Sequence, residues 1–340
     1  MKKLITVILA LALLTLALTG CGAEETPAPS APDAPAIRTD VRLGLLAGPT
    51  GVGAAKLLDD NAAGDTANNY IHTVFNAPDE VTAKIISGEL DIAAVPTNLA
   101  AVLYKKTEGK VKLAAINTLG VLYVLTAQGT TVSSVADLKG KTVYSSGQGA
   151  VPEYVLNFIL DANGVRDDVE VVYEAEHDAV IADLASGKAQ IAVLPEPKVT
   201  AALTQAEGLS VALDLAEEWD KAAALNGDGD SVLSMGCVVV SSSFAEQNKP
   251  ALNAFLSEYA ASIAYMSDAA NLDSAAALCE TYGIIPKAAV AKKALPNCGL
   301  TFISGAEMKT QIAAFYQILF DYNPASVGGT LPDEDFYYSK

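Results

Sequence analysis

Histidine, arginine and tryptophan are nearly missing from this 340-residue chain, which carries two histidines (His72, His177), three arginines (Arg38, Arg42, Arg166) and one tryptophan. Two isolated histidines cannot build the usual zinc site or a Ser-His-Asp arrangement. Gly-x-Ser-x-Gly, His-Glu-x-x-His and Cys-x-x-Cys are also absent. Gly48-Pro49-Thr50-Gly51-Val52-Gly53 has the glycines of a phosphate loop, but Ala54-Ala55 stand where a Walker loop needs lysine and a hydroxyl. Gly147-Gln148-Gly149 lacks the third glycine of a dinucleotide fingerprint. Asn226 to Asp230 alternates acidic residues with glycine, yet lacks the glycine and glutamate of a calcium loop at their required positions, and reads as a solvated turn. The expectation is a protein that is not an enzyme and has no metal and no cofactor. With a formal net charge of −18, nucleic acid is a poor partner.

What the chain does have begins with an address. Met1-Lys2-Lys3 and the apolar run Leu4 to Leu18 form a secretory signal too short for a membrane span. The run closes on Leu18-Thr19-Gly20-Cys21, which resembles a bacterial lipobox and makes Cys21 the lipidated first residue of the mature chain. Residues 1–20 are therefore the signal peptide. Residues 21–39, with Pro27, Pro29, Pro32 and Pro35, are a disordered, Pro-rich tether. Loss of Lys2 and Lys3 leaves 20 basic against 40 acidic residues, a mature charge of −20. The expected location is extracytoplasmic, on the outer face of the cytoplasmic membrane, with the lipid as sole membrane contact. Of the other cysteines, Cys279 and Cys298 could close a disulfide in an oxidising compartment, stabilising by about 3 kcal/mol, or remain buried thiols. Cys237 reads as a small core residue.

An internal repeat organises the remainder. Ser87-Gly-Glu-Leu-Asp-Ile-Ala-Ala-Val-Pro96-Thr97-Asn98 matches Ser186-Gly-Lys-Ala-Gln-Ile-Ala-Val-Leu-Pro195-Glu196-Pro197, and Asp79, Val81, Ala83 and Ile85 match Asp178, Val180, Ala182 and Leu184. Each copy reads as a helix closed by glycine, then a buried strand that stops at proline, which cannot extend a ladder. Two strand–Gly loop–helix units repeat as well: Val41 to Asp60 with Gly48–Gly53, and Lys141 to Leu160 with Ser145-Ser146-Gly147-Gln148-Gly149. Two α/β lobes follow, each bringing two loops from strand carboxyl ends to one cleft. The expected first lobe is 40–126 plus 237–340 and the second 127–236, with one crossing near Leu125–Gly129. The helical stretches 250–266, 268–282 and 306–322 are expected on the first lobe.

Asp137-Leu138-Lys139-Gly140-Lys141, Gly88-Glu89-Leu90-Asp91-Ile92-Ala93 ending at Pro96, and Glu196-Pro197 resemble bacterial ABC-importer solute-binding lipoproteins, in the branch that binds nitrate, taurine, alkanesulfonates and thiamine precursors. The resemblance runs from Val41 to the C-terminus. It implies a two-lobed α/β periplasmic-binding (type II) fold with the cleft between lobes. It also implies a monomer that captures a small organic solute for an ABC permease and ATPase. The alternatives are a ligand-sensing accessory lipoprotein and an enzyme of the same fold.

Candidate ligand contacts are the backbone-rich loops Gly48, Pro49, Thr50, Gly51 and Ser145, Ser146, Gly147, Gln148, Gly149, because glycine admits close approach and helix N-termini favour acceptors. Thr97, Asn98 and Thr118 offer hydroxyl and amide groups. Tyr123, Tyr144 and Tyr154 could stack on a planar ligand or simply pack. Glu196, fixed between prolines, could meet a cationic ligand or cap the following helix. With no arginine in a cleft loop, a neutral or weakly cationic heteroaromatic solute is favoured over taurine or nitrate.

Overall fold

The computed structural model describes residues 38–227 and 229–339. The signal peptide, Cys21 and most of the tether lie outside the described residues, as does Asp228 of the acidic turn. Among the described residues no helix is long and apolar enough to cross a membrane.

The first sheet starts with β1 (Thr39–Leu46), β2 (Asn68–Phe75), β3 (Ile92–Pro96) and β4 (Val111–Leu119). The second holds β5 (Leu122–Thr126), β6 (Thr142–Ser146), β7 (Glu170–Glu174), β8 (Ile191–Pro195) and β9 (Ser210–Asp214). The chain then returns to the first sheet with β10 (Ser234–Ser241) and β11 (Leu300–Ile303). Strand orders are β11-β4-β10-β3-β1-β2 and β7-β6-β8-β5-β9. In each sheet three parallel strands are joined by one antiparallel strand, β10 beside β3 and β5 beside β8. The repeat is thus a repeat of topology.

Local chemistry explains the units. β3 and β8 are continuous apolar runs, buried at their first four positions, as parallel strands covered on both faces require. The helices before them, Pro78–Ile86 and His177–Ala185, end at Gly88 and Gly187, both left-handed at φ 74° and 77°. The Glu89 N–H donates to Lys84 O at 2.9 Å, closing the first of these helices with a Schellman-type bond. Arg42 in β1 donates to Asp91 Oδ2 (2.9 Å) and to Gly88 O (2.8 Å), which ties the strand to this turn.

Two expectations require correction. The crossing does not lie near Leu125–Gly129. The chain crosses at Gly120–Val121, and β5, assigned above to the first lobe, pairs with β8 and β9 in the second sheet. The return strand β10 likewise starts at Ser234, ahead of residue 237. The reason lies at Gly120, where a Cβ would sit 2.3 Å from Ala216 Cβ, so only a glycine can pass there. The helix Gly305–Tyr322 is also not confined to the first lobe. Its Phe315 ring lies 5.5 Å from Trp219, which also meets Phe158 at 4.5 Å, and Tyr322 Oη donates to Asp161 Oδ2 at 2.6 Å. A single hydrophobic cluster runs through Val95, Ile116, Leu122, Val124, Phe158, Trp219 and Phe315, joining the two sheets. The helices Lys249–Ser267 and Leu272–Thr281 cover the first sheet's side, where Phe255 and Tyr259 pack against Val41 and Leu43.

Cys237, Cys279 and Cys298 are all buried free thiols, so the 279–298 bridge is not formed. Burial pushes the Cys237, Cys279 and Cys298 thiols up, so all three stay protonated at neutral pH.

Gly120→Ala is expected to lower stability by about 1–3 kcal/mol through overpacking against Ala216. Urea denaturation followed at Trp219, the chain's one tryptophan, measures it. An unchanged midpoint would mean that the crossing has room to relax.

Candidate functional site

A cleft of about 570 Å³ opens between the two sheets at the carboxyl ends of their parallel strands. The first lobe contributes Leu46–Thr50, Asn76, Pro78, Pro96, Asn98, Leu99 and Thr118; the second contributes Gly147, Ala150–Pro152, His177 and Pro195–Lys198. Val121 and Met235, beside the two crossings, form the floor. This is the switch-point position that open α/β sheets use for ligands, supplied here by equivalent segments of both copies.

The structure gathers Gly48, Pro49, Thr50, Asn98, Thr118, Gly147 and Glu196 around this cleft. Gly48 holds φ 97° with open space beside it, and its N–H donates to Ile284 O at 2.9 Å. Asn117 Nδ2 donates to Thr50 O (2.9 Å) and fixes that rim, while Thr118 Oγ1 donates to Asn117 Oδ1 (3.1 Å). Gly147, at φ 77°, turns the chain out of β6. Asn98 leans on Ser326 O at 3.4 Å.

Other candidates lie elsewhere, each for a packing reason. Gly51 is buried, with Leu46 O only 2.1 Å from where its Cβ would be. Thr97 opens the helix Thr97–Lys106 immediately after Pro96, with no loop between; its Oγ1 bonds Ser234 Oγ at 2.9 Å, and its carbonyl accepts from Tyr316 Oη at 2.6 Å. Ser145 is buried and donates to Ser146 O (3.2 Å). Ser146, also buried, bonds His177 Nδ1. Gln148 and Gly149 stay off the cleft, and Gly149 O accepts from Tyr154 Oη at 3.0 Å. Tyr144 packs its ring under Lys188. Tyr123 lines a separate 390 Å³ pocket, where its hydroxyl donates to Asn297 O at 3.3 Å.

Glu196 borders both cavities, yet its oxygens are engaged. Thr200 donates to it twice, from N–H (3.1 Å) and from Oγ1 (3.0 Å), so the carboxylate caps the helix Lys198–Gln205. Burial pushes its carboxyl above the ordinary range, opposed by the Thr200 and Asn297 hydrogen bonds. Of the two roles open to it, the cap is the one its hydrogen bonds serve.

His177 and Lys198 were missed. The repeat held a signal, since the offset that matches Asp79 with Asp178 also matches Pro78 with His177, and both open helices at the cleft. Burial and the nearby Lys198 push the His177 imidazole below its ordinary value, so the ring is neutral at pH 7. Lys198 Nζ pairs with exposed Asp178 at 2.6 Å. Four helices, Pro78–Ile86, Thr97–Lys106, Val151–Ala162 and His177–Ala185, turn their N-termini to this cleft without a side-chain cap. Their dipoles set a positive bias there.

Two duplicated α/β lobes enclosing one polar-rimmed cleft define the two-lobed solute-binding class. Among solved structures the chain is similar to an ABC transporter protein from Parabacteroides distasonis (26% identity, 89% of this chain and 99% of that one, TM-score 0.74). The fold also resembles the periplasmic aliphatic sulphonate binding protein SsuA of Escherichia coli (19%, 88% and 92%, TM-score 0.67) and the nitrate-binding protein NrtA of Synechocystis PCC 6803 (13%, 80% and 75%, TM-score 0.52). No curated protein matches the chain. Residues 71–270 match the NMT1/THI5-like family, and the chain belongs to it. Its architecture is that of the periplasmic solute-binding components of ABC importers.

The Glu196 carboxyl gives a pH signature. Its folded-state pKa is raised, so the folded chain holds the proton more tightly than the unfolded chain does. That contribution is fully present below the ordinary value of 4.5 and is lost as pH rises through the folded value. Glu196→Gln is therefore expected to lose stability relative to wild type at pH 4 and to recover it towards pH 7. Parallel urea titrations at the two pH values measure the difference, and a constant offset would contradict the assignment.

Proposed function

We propose that this chain is the extracytoplasmic, lipid-anchored solute-binding component of an ABC importer, acting as a monomer that hands its solute to a permease and ATPase. The observation that carries this reading is the cleft itself, built from corresponding strand-end segments of two duplicated lobes. A solute touching both rims binds the closed arrangement more tightly and shifts the equilibrium towards it. The closed surface is what the permease reads. Lipidation of Cys21 and the Pro-rich tether keep the protein at the membrane where the permease sits. The lobes that move are built on residues 39–119 with 234–303 and on residues 122–233, with the helix Gly305–Tyr322 packed against both.

The solute carries oxygen acceptors on a mostly apolar body. Uncapped helix N-termini, His177 and Lys198 face the cleft, and the single carboxylate there is spent on Thr200. Prolines, Leu46, Leu99, Val121, Val151 and Met235 supply the apolar wall. This composition favours a molecule bearing a carboxylate, sulfonate or carbonyl group over the weakly cationic end of the neutral-to-weakly-cationic range that the missing arginines suggested.

Native mass spectrometry of residues 22–340, before and after unfolding and refolding, is expected to release one small molecule. A thermal-shift panel of sulfonates, carboxylates, neutral vitamin precursors and amines then ranks classes. A ligand at a hundred times its dissociation constant stabilises by about 2.7 kcal/mol. Shifts by amines alone would reverse the ligand class, and a folded protein that binds nothing would count against solute capture.

A further inference from the structure

We propose that His177 is the donor that reads the solute, with Ser146 holding its imidazole as the Nε2–H tautomer so that the cleft presents an N–H to an oxygen acceptor. The inference rests on the solute-binding reading and adds the residue and the polarity of its recognition.

Ser146 ends β6 and is 3% exposed. Among the described residues the hydrogen bond its hydroxyl makes is with His177 Nδ1. Two proton placements are open. If Nδ1 carried the hydrogen, it would donate to Oγ, and the buried hydroxyl hydrogen would be left without an acceptor. An unmade buried bond is costlier than the bond itself is worth. If the hydroxyl donates to a bare Nδ1, both groups are satisfied, and a neutral ring then carries its hydrogen on Nε2.

The ring stands at the first turn of the helix His177–Ala185 and borders the cleft. With Nδ1 committed to β6, Nε2 is the polar atom left, and it has no partner among the described residues. The charged neighbours are Lys198, Asp178 and Glu176. Burial disfavours an imidazolium first and Lys198 adds to it, outweighing the opposing pull of Asp178 and Glu176, so recognition is by a neutral donor and not by a second cation. An ammonium would meet a donor here and be turned away; a carboxylate, sulfonate or amide carbonyl would be met. Ser146 is thus a positioning residue, acting on the solute through His177.

The tautomer is measurable without any ligand. In ¹⁵N-histidine-labelled residues 22–340 at pH 7.5, long-range ¹H–¹⁵N correlation is expected to show His177 with bare Nδ1 and protonated Nε2. His177→Gln removes the resonance and separates it from His72. Ser146→Ala is expected to give a mixture of tautomers in a protein that still melts cooperatively. A protonated Nδ1 in wild type, or no change in Ser146→Ala, would overturn the proposal.

Binding is then read by calorimetry with butyrate, butane-1-sulfonate and n-butylamine. At least one of the two acids is expected to bind and the amine not. His177→Phe should weaken that acid about tenfold or more, while His177→Gln, which keeps an N–H at the Nε2 position, should stay within about threefold. Equal losses in the two variants, or binding by neither acid, would sink the donor role. If native mass spectrometry nonetheless releases a solute lacking oxygen acceptors, the donor role fails while solute capture stands.

Discussion

Each sheet of this protein is completed by a strand that arrives from the other side. β5 enters the second sheet directly from β4, and β10 enters the first directly from the second lobe, each lying antiparallel beside the strand that ends in proline. The two crossings run close together, and each has a glycine with no room for a side chain. Gly120 abuts Ala216, and Gly236 lies where a Cβ would stand 2.6 Å from Asn117 Oδ1. This constraint fixes where the cleft can be. The parallel strands of both sheets must present their carboxyl ends to the same gap, and the crossings form its floor.

The cleft's chemistry follows from that geometry. Strand ends are helix beginnings in an α/β unit, so convergence of the strand ends also brings helix N-termini together. Their N–H groups and dipoles favour an acceptor without any arginine. The side chains add direction. Ser146 and His177 come from a strand and a helix of one lobe, Asn98 and Thr118 from the other. Glu196, the one acid in the wall, is held by Thr200. A net charge of −18 over the whole chain therefore coexists with a cleft of the opposite bias.

Much of the fold is legible in the chain because it is local and repeated. The helix–Gly–strand–Pro pattern at Ser87–Pro96 and Ser186–Pro195 reports burial and termination within a dozen residues. The crossing is expected too late because, although the interruption at Thr118-Leu119-Gly120 is visible in the chain, local sequence cannot tell one interrupted strand from two strands in different sheets. What separates them is Gly120, whose need for glycine arises from Ala216, about a hundred residues away in sequence. The C-terminal helix was placed on one lobe for a similar reason, since its apolar face does not say that Phe315 meets Trp219.

The candidate site divides along the same line. Glycine-rich loops at strand ends are visible in sequence, and Gly48–Thr50 and Gly147 do stand at the cleft. Direction within a loop is not visible: Gly51 turns under Leu46, Thr97 turns to Ser234, and Ser146 turns to His177. His177 looks isolated in the sequence because its partner lies 31 residues away on another element. The chain by itself determined the duplicated α/β units and the places where strands stop, since hydrophobic runs, glycine and proline act on their own neighbours. Only the tertiary structure decided which polar groups face the solute and which are spent on the wall, because hydrogen-bond satisfaction depends on what lies opposite.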